Sequence, residues 1–169
     1  ICFISRANPN PTSAASIGYT VVFSESVTGV NTSAPFSDFA LTTTGVTGAT
    51  ITSVSGSGTT YTVTLNTGSG SGTVRLDVVD DDSIKDAANN PLGGVGVGNG
   101  NYTSGEIYNI IKIYISGNAG VGGATLSYTD GTPKTVTVDG SGNYSISVPY
   151  GWSGTVTPSL ASDAFCPAS

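Results

Sequence analysis

Hydrophobic and polar residues alternate with a period of two in several short segments of this chain. In one of them Tyr61, Val63 and Leu65 alternate with three threonines, so one face of the segment is expected in a core and the other in solvent. Segments of the same kind, bounded by Gly, Asn, Asp or Ser, recur at residues 16–23, 39–42, 49–54 and 72–79. This spacing is typical of an antiparallel β-sandwich.

Two glycine-rich segments, residues 55–58 and 66–72, separate neighbouring alternating segments and predict hairpin loops. A flexible linker is the alternative for the second, but the strand patterns on both sides favour a hairpin. The apolar run 106–115 is too long for one exposed strand. We expect it to close one domain and to open another near Lys112.

The sequence therefore predicts two tandem domains, residues 1–113 and 114–169. The second domain contains four or five further short strand patterns, at residues 123–128, 134–138, 143–148 and 154–158. A segment of this length is around the lower limit for an independent core.

Composition narrows the fold and function classes. The 169 residues include 24 Gly and 8 Pro but no His and no Met, and only 9% are charged. Good helix formers are scarce, so an all-β fold is expected. A net charge of −6 argues against binding to nucleic acid or to an anionic membrane surface. Without His, an imidazole base or a His-based triad is excluded, and we expect no enzyme activity and no required cofactor.

The chain shows no basic leader and no apolar run of the roughly 20 residues that a membrane span needs, so no membrane insertion is expected. Its weakly charged, Thr- and Ser-rich composition fits a secreted, already processed protein at the cell surface or outside the cell. Three sequons begin at Asn31, Asn101 and Asn143 and are candidate glycosylation sites.

Several separate motifs in the first domain occur in the order of a known family. They are residues 6–13 (RANPNPTS), 22–30 (VFSESVTGV), 39–45 (FALTTTG) and 80–94 (DDDSIKDAANNPLGG). These motifs resemble the bacterial Ig-like repeats of large secreted adhesins and surface proteins. The resemblance implies a load-bearing or spacer module.

The second domain resembles the carboxypeptidase-regulatory-like sandwich through residues 115–118 (ISGN), 139–144 (DGSGNY) and 148–158 (VPYGWSGTVTP). That family continues into further strands after a Phe-x-Pro segment, whereas this sequence ends at Ser169. The resemblance therefore implies an incomplete sandwich, completed by a strand from a neighbouring subunit. The candidate donor strand is Ile1, Cys2, Phe3 and Ile4.

Cys2 and Cys166 are the two cysteines, and each lies near one end of the sequence. In a straight two-domain rod they would be too far apart for an internal bond, because bridged Cα atoms lie within about 7 Å. A disulfide between subunits would link the chain head to tail. An internal disulfide in a folded-back chain, free thiols and two buried small residues remain alternatives.

An acidic cluster is a candidate Ca²⁺ site because carboxylate oxygens are the ligands that calcium prefers. Its members are Glu25, Asp80, Asp81, Asp82 and Asp86. The spacing is not that of an EF-hand, and a solvated acidic turn explains the same residues. Trp152, the single tryptophan, is expected to close the end of the small core or to meet a neighbour, with sugar stacking as the alternative.

Two functions follow from these observations. The first is a structural subunit of an extracellular filament, a head-to-tail homopolymer joined by strand donation and locked by the disulfide. The alternative is an adhesin fragment that binds a glycan or a receptor.

Overall fold

The computed structural model of this protein describes residues 3–160. The chain divides into two compact units between Ile111 and Lys112, two residues before the boundary predicted at 113/114. The apolar run 106–115 accordingly divides into two strands at this point.

Every regular element within residues 3–160 is a β-strand, which confirms the predicted all-β class. In chain order the strands are β1 (Phe3–Arg6), β2 (Ser16–Val27), β3 (Phe39–Thr44), β4 (Thr50–Asn66), β5 (Gly72–Val78), β6 (Ile107–Ile110), β7 (Ile113–Asn118), β8 (Thr125–Asp130), β9 (Thr132–Thr137), β10 (Asn143–Val148) and β11 (Thr157–Ser159). This part of the chain holds no helix long and apolar enough to cross a membrane.

Unit 1, the part that precedes Lys112, contains two three-stranded antiparallel sheets with strand orders β1-β2-β4 and β3-β5-β6. Side chains alternate along β2, where Ile17, Tyr19 and Val21 are buried. They share one continuous hydrophobic core with Val74 of β5. The two sheets therefore enclose a single core, as the alternating pattern predicts for a sandwich.

A tyrosine joins the two sheets of unit 1. Tyr19 is fully buried, and its hydroxyl donates a 2.7 Å hydrogen bond to the Val74 carbonyl oxygen in the opposite sheet. Its ring meets that of Tyr108 edge to face at 5.0 Å. Burial raises the pKa of Tyr19, so this hydroxyl stays protonated and remains a donor.

The chain reverses direction within β4. Thr52 Oγ1 donates a 3.1 Å hydrogen bond to the Thr64 carbonyl oxygen, although twelve residues of extended chain would span about 40 Å. Gly56 and Gly58 have φ values of +124° and +65°, which L-residues with side chains rarely adopt. The reversal lies where the sequence predicts a hairpin loop, at residues 55–58.

The second predicted hairpin loop, residues 66–72, is wrong. It connects β4, which pairs with β2, to β5, which pairs with β3 and β6, so it crosses from one sheet to the other. Thr47 and Ser69 exchange two backbone hydrogen bonds of 2.9 Å and anchor the crossing. Glycine-rich spacing signals a change of direction, but it carries no information about the strand that the next segment will join.

Unit 2, which begins at Lys112, contains a two-stranded sheet, β10-β7, and a three-stranded sheet, β11-β8-β9, both antiparallel. The predicted turn at Asp130 and Gly131 joins β8 to β9, and Gly131 has a φ of +79°. Ala124, Leu126 and Val138 form a small buried cluster. This core is much smaller than that of unit 1, as the number of short strands predicts.

Replacing Tyr19 by Phe removes the hydrogen bond between the two sheets and leaves the buried ring in place. We expect the free energy of unfolding to fall by about 1–2 kcal/mol, because the Val74 carbonyl oxygen loses a donor in a dry interior. Urea unfolding measured by circular dichroism tests this. The matched control is Tyr114→Phe, which removes an exposed hydroxyl and should leave stability unchanged. Equal stability of Y19F and the original chain would contradict the role given to this bond.

Candidate functional site

The acidic run after β5 organises the glycine-rich loop that follows it. Asp80 is buried, and its two carboxylate oxygens accept hydrogen bonds from the backbone N–H groups of Asp82 (3.1 Å) and Gly100 (3.0 Å). The Asp82 carboxylate in turn accepts the N–H of Gly96 at 3.0 Å. These carboxylates therefore accept the hydrogen bonds of loop amide groups, as carbonyl oxygens of a neighbouring strand do within a sheet.

Asp81 and Asp86 each shape a turn of the chain. Asp81 accepts the N–H of Ser83 at 3.0 Å, and hydrogen bonds from Ser83 lower the pKa of Asp81. Asp86 accepts the N–H groups of Ala88 (2.8 Å) and Asn90 (2.9 Å) as well as the Asn90 side-chain amide (2.8 Å). The hydrogen bonds from Asn90 also lower the pKa of Asp86, so both groups stay ionised.

The five candidate calcium ligands do not form one site. Asp80, Asp81 and Asp82 lie in the loop just described, whereas Glu25 and Asp86 line a separate cavity. Within residues 3–160 no group of three or more Cys, Asp or Glu side chains is arranged to hold a metal ion. Calcium binding stays a prediction.

The cavity lined by Glu25 and Asp86 belongs to unit 1 and has a volume of about 270 Å³. Its apolar part includes the buried side chains Phe23, Val27 and Ile84. The cavity therefore combines some apolar surface with two carboxylates.

A bulge in β2 creates one wall of this cavity. Val22 pairs with Thr60 of β4, but Val27 pairs with Gly58, so five steps along β2 match only two along β4. The extra residues include Glu25, whose exposed side chain has no hydrogen-bond or ion-pair partner in the described part of the chain. Bulges commonly redirect side chains at functional places in sheets. The sequence signal was the Ser-Glu-Ser triplet that interrupts the apolar alternation of β2.

Asp38 is a buried carboxylate that sequence reasoning missed. Its oxygens accept the Asn31 N–H at 2.6 Å and the Ser83 hydroxyl at 3.2 Å, so it ties the segment before β3 to the acidic turn. Burial, the largest cause, and the nearby charge of Asp81 raise the pKa of Asp38, against the opposing effect of its hydrogen bonds. No local pattern distinguishes Asp38 from a solvated loop aspartate.

The three sequon asparagines lie in different environments. Asn31 is half-buried, and its side-chain amide donates to the Ser37 hydroxyl at 3.0 Å. Asn101 is exposed, and its side-chain oxygen accepts the Asp80 N–H at 2.8 Å. Asn143, at the start of β10, is exposed and accepts the Asn118 amide at 2.9 Å. Glycosylation at these positions stays a prediction.

Trp152 fastens the segment after β10 to β8. Its indole N–H donates a 2.7 Å hydrogen bond to the Thr129 carbonyl oxygen, and its ring meets Tyr128 edge to face at 6.3 Å. Gly154 lies against the indole ring, where a Cβ would come within 2.5 Å of ring carbon Cζ2. Trp152 is not among the residues of the small buried cluster of unit 2, so its expected place at the end of that core stays a prediction.

The β7 strand of unit 2 leaves part of its core-facing row uncovered. Ile113 lies opposite Val148 of β10, and Ile115 lies opposite Ile146. The two β10 side chains are 4% and 1% exposed, but Ile113 is 37% exposed and Ile115 is half-buried. Among residues 3–160, β7 pairs with β10 on one side and with no strand on the other. Sequence reasoning anticipated an open sandwich but did not identify this edge.

Two residues of the candidate donor strand pair with a strand of their own unit. Phe3 and Ile4 belong to β1, where they pair with Val22 and Val21 of β2, and Ile4 is buried in the core of unit 1. In this structure they complete their own sheet. Ile1 and both cysteines of the predicted disulfide, Cys2 and Cys166, lie outside the described residues.

Comparisons with protein-family models, with curated proteins and with solved structures found no match to this chain. The resemblance to Ig-like repeats and to carboxypeptidase-regulatory-like modules therefore stays a prediction from its motifs.

Replacing Asp38 by Asn should remove the destabilisation that ionisation of Asp38 causes between pH 4 and pH 7. The pKa of Asp38 is raised in the folded state, so its stabilising contribution is full below the unfolded pKa and is lost as the pH rises through the folded pKa. Asp38→Asn lacks this titration, so its stability relative to the original chain should improve as the pH rises. Thermal unfolding of both proteins at a series of pH values between 4 and 7 measures this difference in stability.

Asp86→Asn is the control with the opposite sign. The pKa of Asp86 is lowered, so this group stabilises the fold above its unfolded pKa, and its removal should cost more at pH 7 than at pH 4. A relative stability of the Asp38→Asn variant that is the same at every pH would contradict the raised pKa.

Proposed function

We propose that this protein is a structural subunit of an extracellular or cell-surface filament, in which each copy adds a strand to the second unit of the next copy. The observation that carries the proposal is the uncovered row on β7, Ile113 and Ile115, beside an edge without a described partner. The low charge and the Thr- and Ser-rich composition are compatible with a location outside the cell.

Physical reasons favour strand addition at this edge. An edge strand exposes N–H and C=O groups that a further strand can pair with, and proteins usually protect such edges with charge, proline or a cover. From Ile113 to Asn118, β7 contains no charged residue and no proline. A strand added here would gain backbone hydrogen bonds and would cover apolar side chains that β10 leaves half-exposed.

The donor in this proposal is chain outside residues 3–160 of a neighbouring copy. Phe3 and Ile4 pair within their own unit, and Ile4 would have to leave a core in which it is 2% exposed. Ile1 and Cys2 remain candidate donor residues. A contact between different surfaces of two copies repeats without closing, unless the rotation happens to form a ring, and so generates a filament.

A second candidate function is glycan binding by unit 2. A groove of about 600 Å³ covers β8 and β9 and includes several hydroxyl side chains, among them Ser127, Thr129 and Thr135. Lys134 also lines it, and its ammonium group pairs with Asp130 at 2.6 Å. Hydroxyl groups and one cation suit the polar groups of a sugar, which favours the adhesin alternative.

Replacing Ile113 by Lys should abolish polymerisation while unit 2 stays folded. The new charge would lie in the apolar row that an added strand covers, and inward-pointing charge is a known protection of sheet edges. Negative-stain microscopy and sedimentation velocity report the polymer, and thermal unfolding reports the fold.

The matched control for this variant is Tyr114→Lys, which adds the same charge to the same strand on its other face, where Tyr114 is 54% exposed. This control should still polymerise. Filaments of equal length from both variants would refute strand addition at β7, and a monomeric original chain would favour the glycan-binding candidate.

Boiled native material should give a ladder of high-mass bands on non-reducing SDS electrophoresis, and the ladder should collapse to one band near 17 kDa with reductant. The expected cause is a Cys2–Cys166 disulfide between copies, which survives denaturation and is reversed by thiols. Cys2→Ser should remove the ladder even without reductant. A single monomer band in both lanes would contradict the intersubunit disulfide.

A further inference from the structure

We propose that the cavity at the β2 bulge binds an alkylammonium group, such as the side chain of a lysine. The proposal rests on unit 1 alone and does not depend on filament formation. The cavity of about 270 Å³ lies between the bulge, which contributes Ser24 and Glu25, and the chain segment 84–93.

Part of the cavity lining is hydrocarbon that a methylene chain can contact. Phe23, Val27 and Ile84 are 3%, 7% and 2% exposed, and Leu92 adds further apolar surface. The cavity volume of about 270 Å³ is ample for the five heavy atoms of a lysine side chain. Lysine typically buries its methylene stem against apolar surface while its charged head stays near water.

The charges of the lining suit an ammonium head. Ten residues line the cavity; two of them, Glu25 and Asp86, carry carboxylates and none is basic. Among residues 3–160, the Glu25 carboxylate has no hydrogen-bond or ion-pair partner. A cation at this position would therefore gain an ion pair without first displacing one.

The wall opposite the bulge is fixed in shape. The Lys85 and Pro91 backbones form a bridge, and the Leu92 N–H donates to the Ile84 carbonyl oxygen at 2.9 Å. Asp86 holds the intervening turn through its hydrogen bonds from Asn90. A preformed cavity loses little conformational entropy when a ligand enters.

Calcium fits this cavity poorly. Ca²⁺ takes six to eight oxygen ligands, but the Asp86 oxygens already accept three hydrogen bonds and part of the lining is hydrocarbon. An organic cation needs fewer oxygen contacts and uses the apolar surface. The geometry therefore favours an alkylammonium ligand over a metal ion.

Titration of the full chain with n-butylammonium, followed by methyl and amide NMR at pH 7 and low salt, tests the proposal. We expect shifts centred on Ile84, Leu92 and the bulge, and weaker binding in 1 M salt. n-Butanol, which has the same chain without charge, should bind less tightly. Equal binding of the alcohol, shifts elsewhere or shifts produced by Ca²⁺ alone would overturn the proposal.

Glu25→Gln keeps the shape of the side chain and removes its charge, so the affinity for n-butylammonium should fall about two- to fivefold. The matched control is Asp81→Asn, an exposed carboxylate of the same unit that does not line the cavity, and its affinity should be unchanged. Equal affinities in the two variants would refute the role of Glu25.

A lysine blocked at its α-amino and carboxyl groups distinguishes two possible ligands, the lysine side chain of a partner protein and a free amine. Binding of the blocked lysine with the same pattern of shifts would identify the lysine side chain of a partner protein as the ligand. Binding of n-butylammonium alone would identify a free amine instead. Binding of neither compound would overturn the proposal.

Discussion

Burial of one face of β2 is the constraint on which unit 1 depends. β2 is the central strand of its sheet, with β1 on one side and β4 on the other. Its inward row from Ile17 to Phe23 is almost completely covered. Because side chains alternate strictly in a strand, a slip of one residue would turn this whole row to solvent. The register of both neighbouring strands is therefore fixed as far as Val22, and the bulge that opens the cavity lies beyond this point.

The two units satisfy their backbone groups in different ways. Unit 1 uses sheet ladders for its core and carboxylates for its longest loop, where Asp80 and Asp82 accept amide groups that no strand reaches. Unit 2 has a smaller buried cluster and a two-stranded sheet with an open edge among the described residues. An unprotected edge of this kind can pair with a further strand, which is the basis of the proposed strand addition.

The sequence predicted the positions of several strands well, but it did not predict which strands pair with each other. The segments that become β3, β5 and β10 were predicted within two residues because apolar and polar positions alternate cleanly there. Residues 1–4 were interpreted as a candidate donor strand, since so short a segment does not reveal which sheet its residues join. Residues 66–72 were assigned to a hairpin for the same reason, because pairing depends on contacts distant in sequence.

The candidate sites were predictable only in part. The sequence identified the acidic residues as possible ligands. In the structure their carboxylates mostly accept hydrogen bonds from backbone amides, and these partners depend on how the surrounding loops fold. The cavity required both the bulge at Glu25 and the turn at Asp86, which approach each other only in the folded chain. The uncovered row on β7 likewise depends on how the other described strands of unit 2 pack, which no local pattern encodes.

The closure of unit 1 also limits the order in which the protein can be made. The Arg6 N–H donates to the Glu106 carboxylate, the Asn8 N–H donates to the Tyr108 hydroxyl, and Thr12 forms a bridge with Ile110. Each pair joins residues about one hundred positions apart, and such distant pairings form slowly. While the ribosome synthesises the chain, the sheet of β3 and β5 therefore stays incomplete until the first hundred residues have been made. Unit 1 can close only when β6 emerges, just before the residues of unit 2 follow.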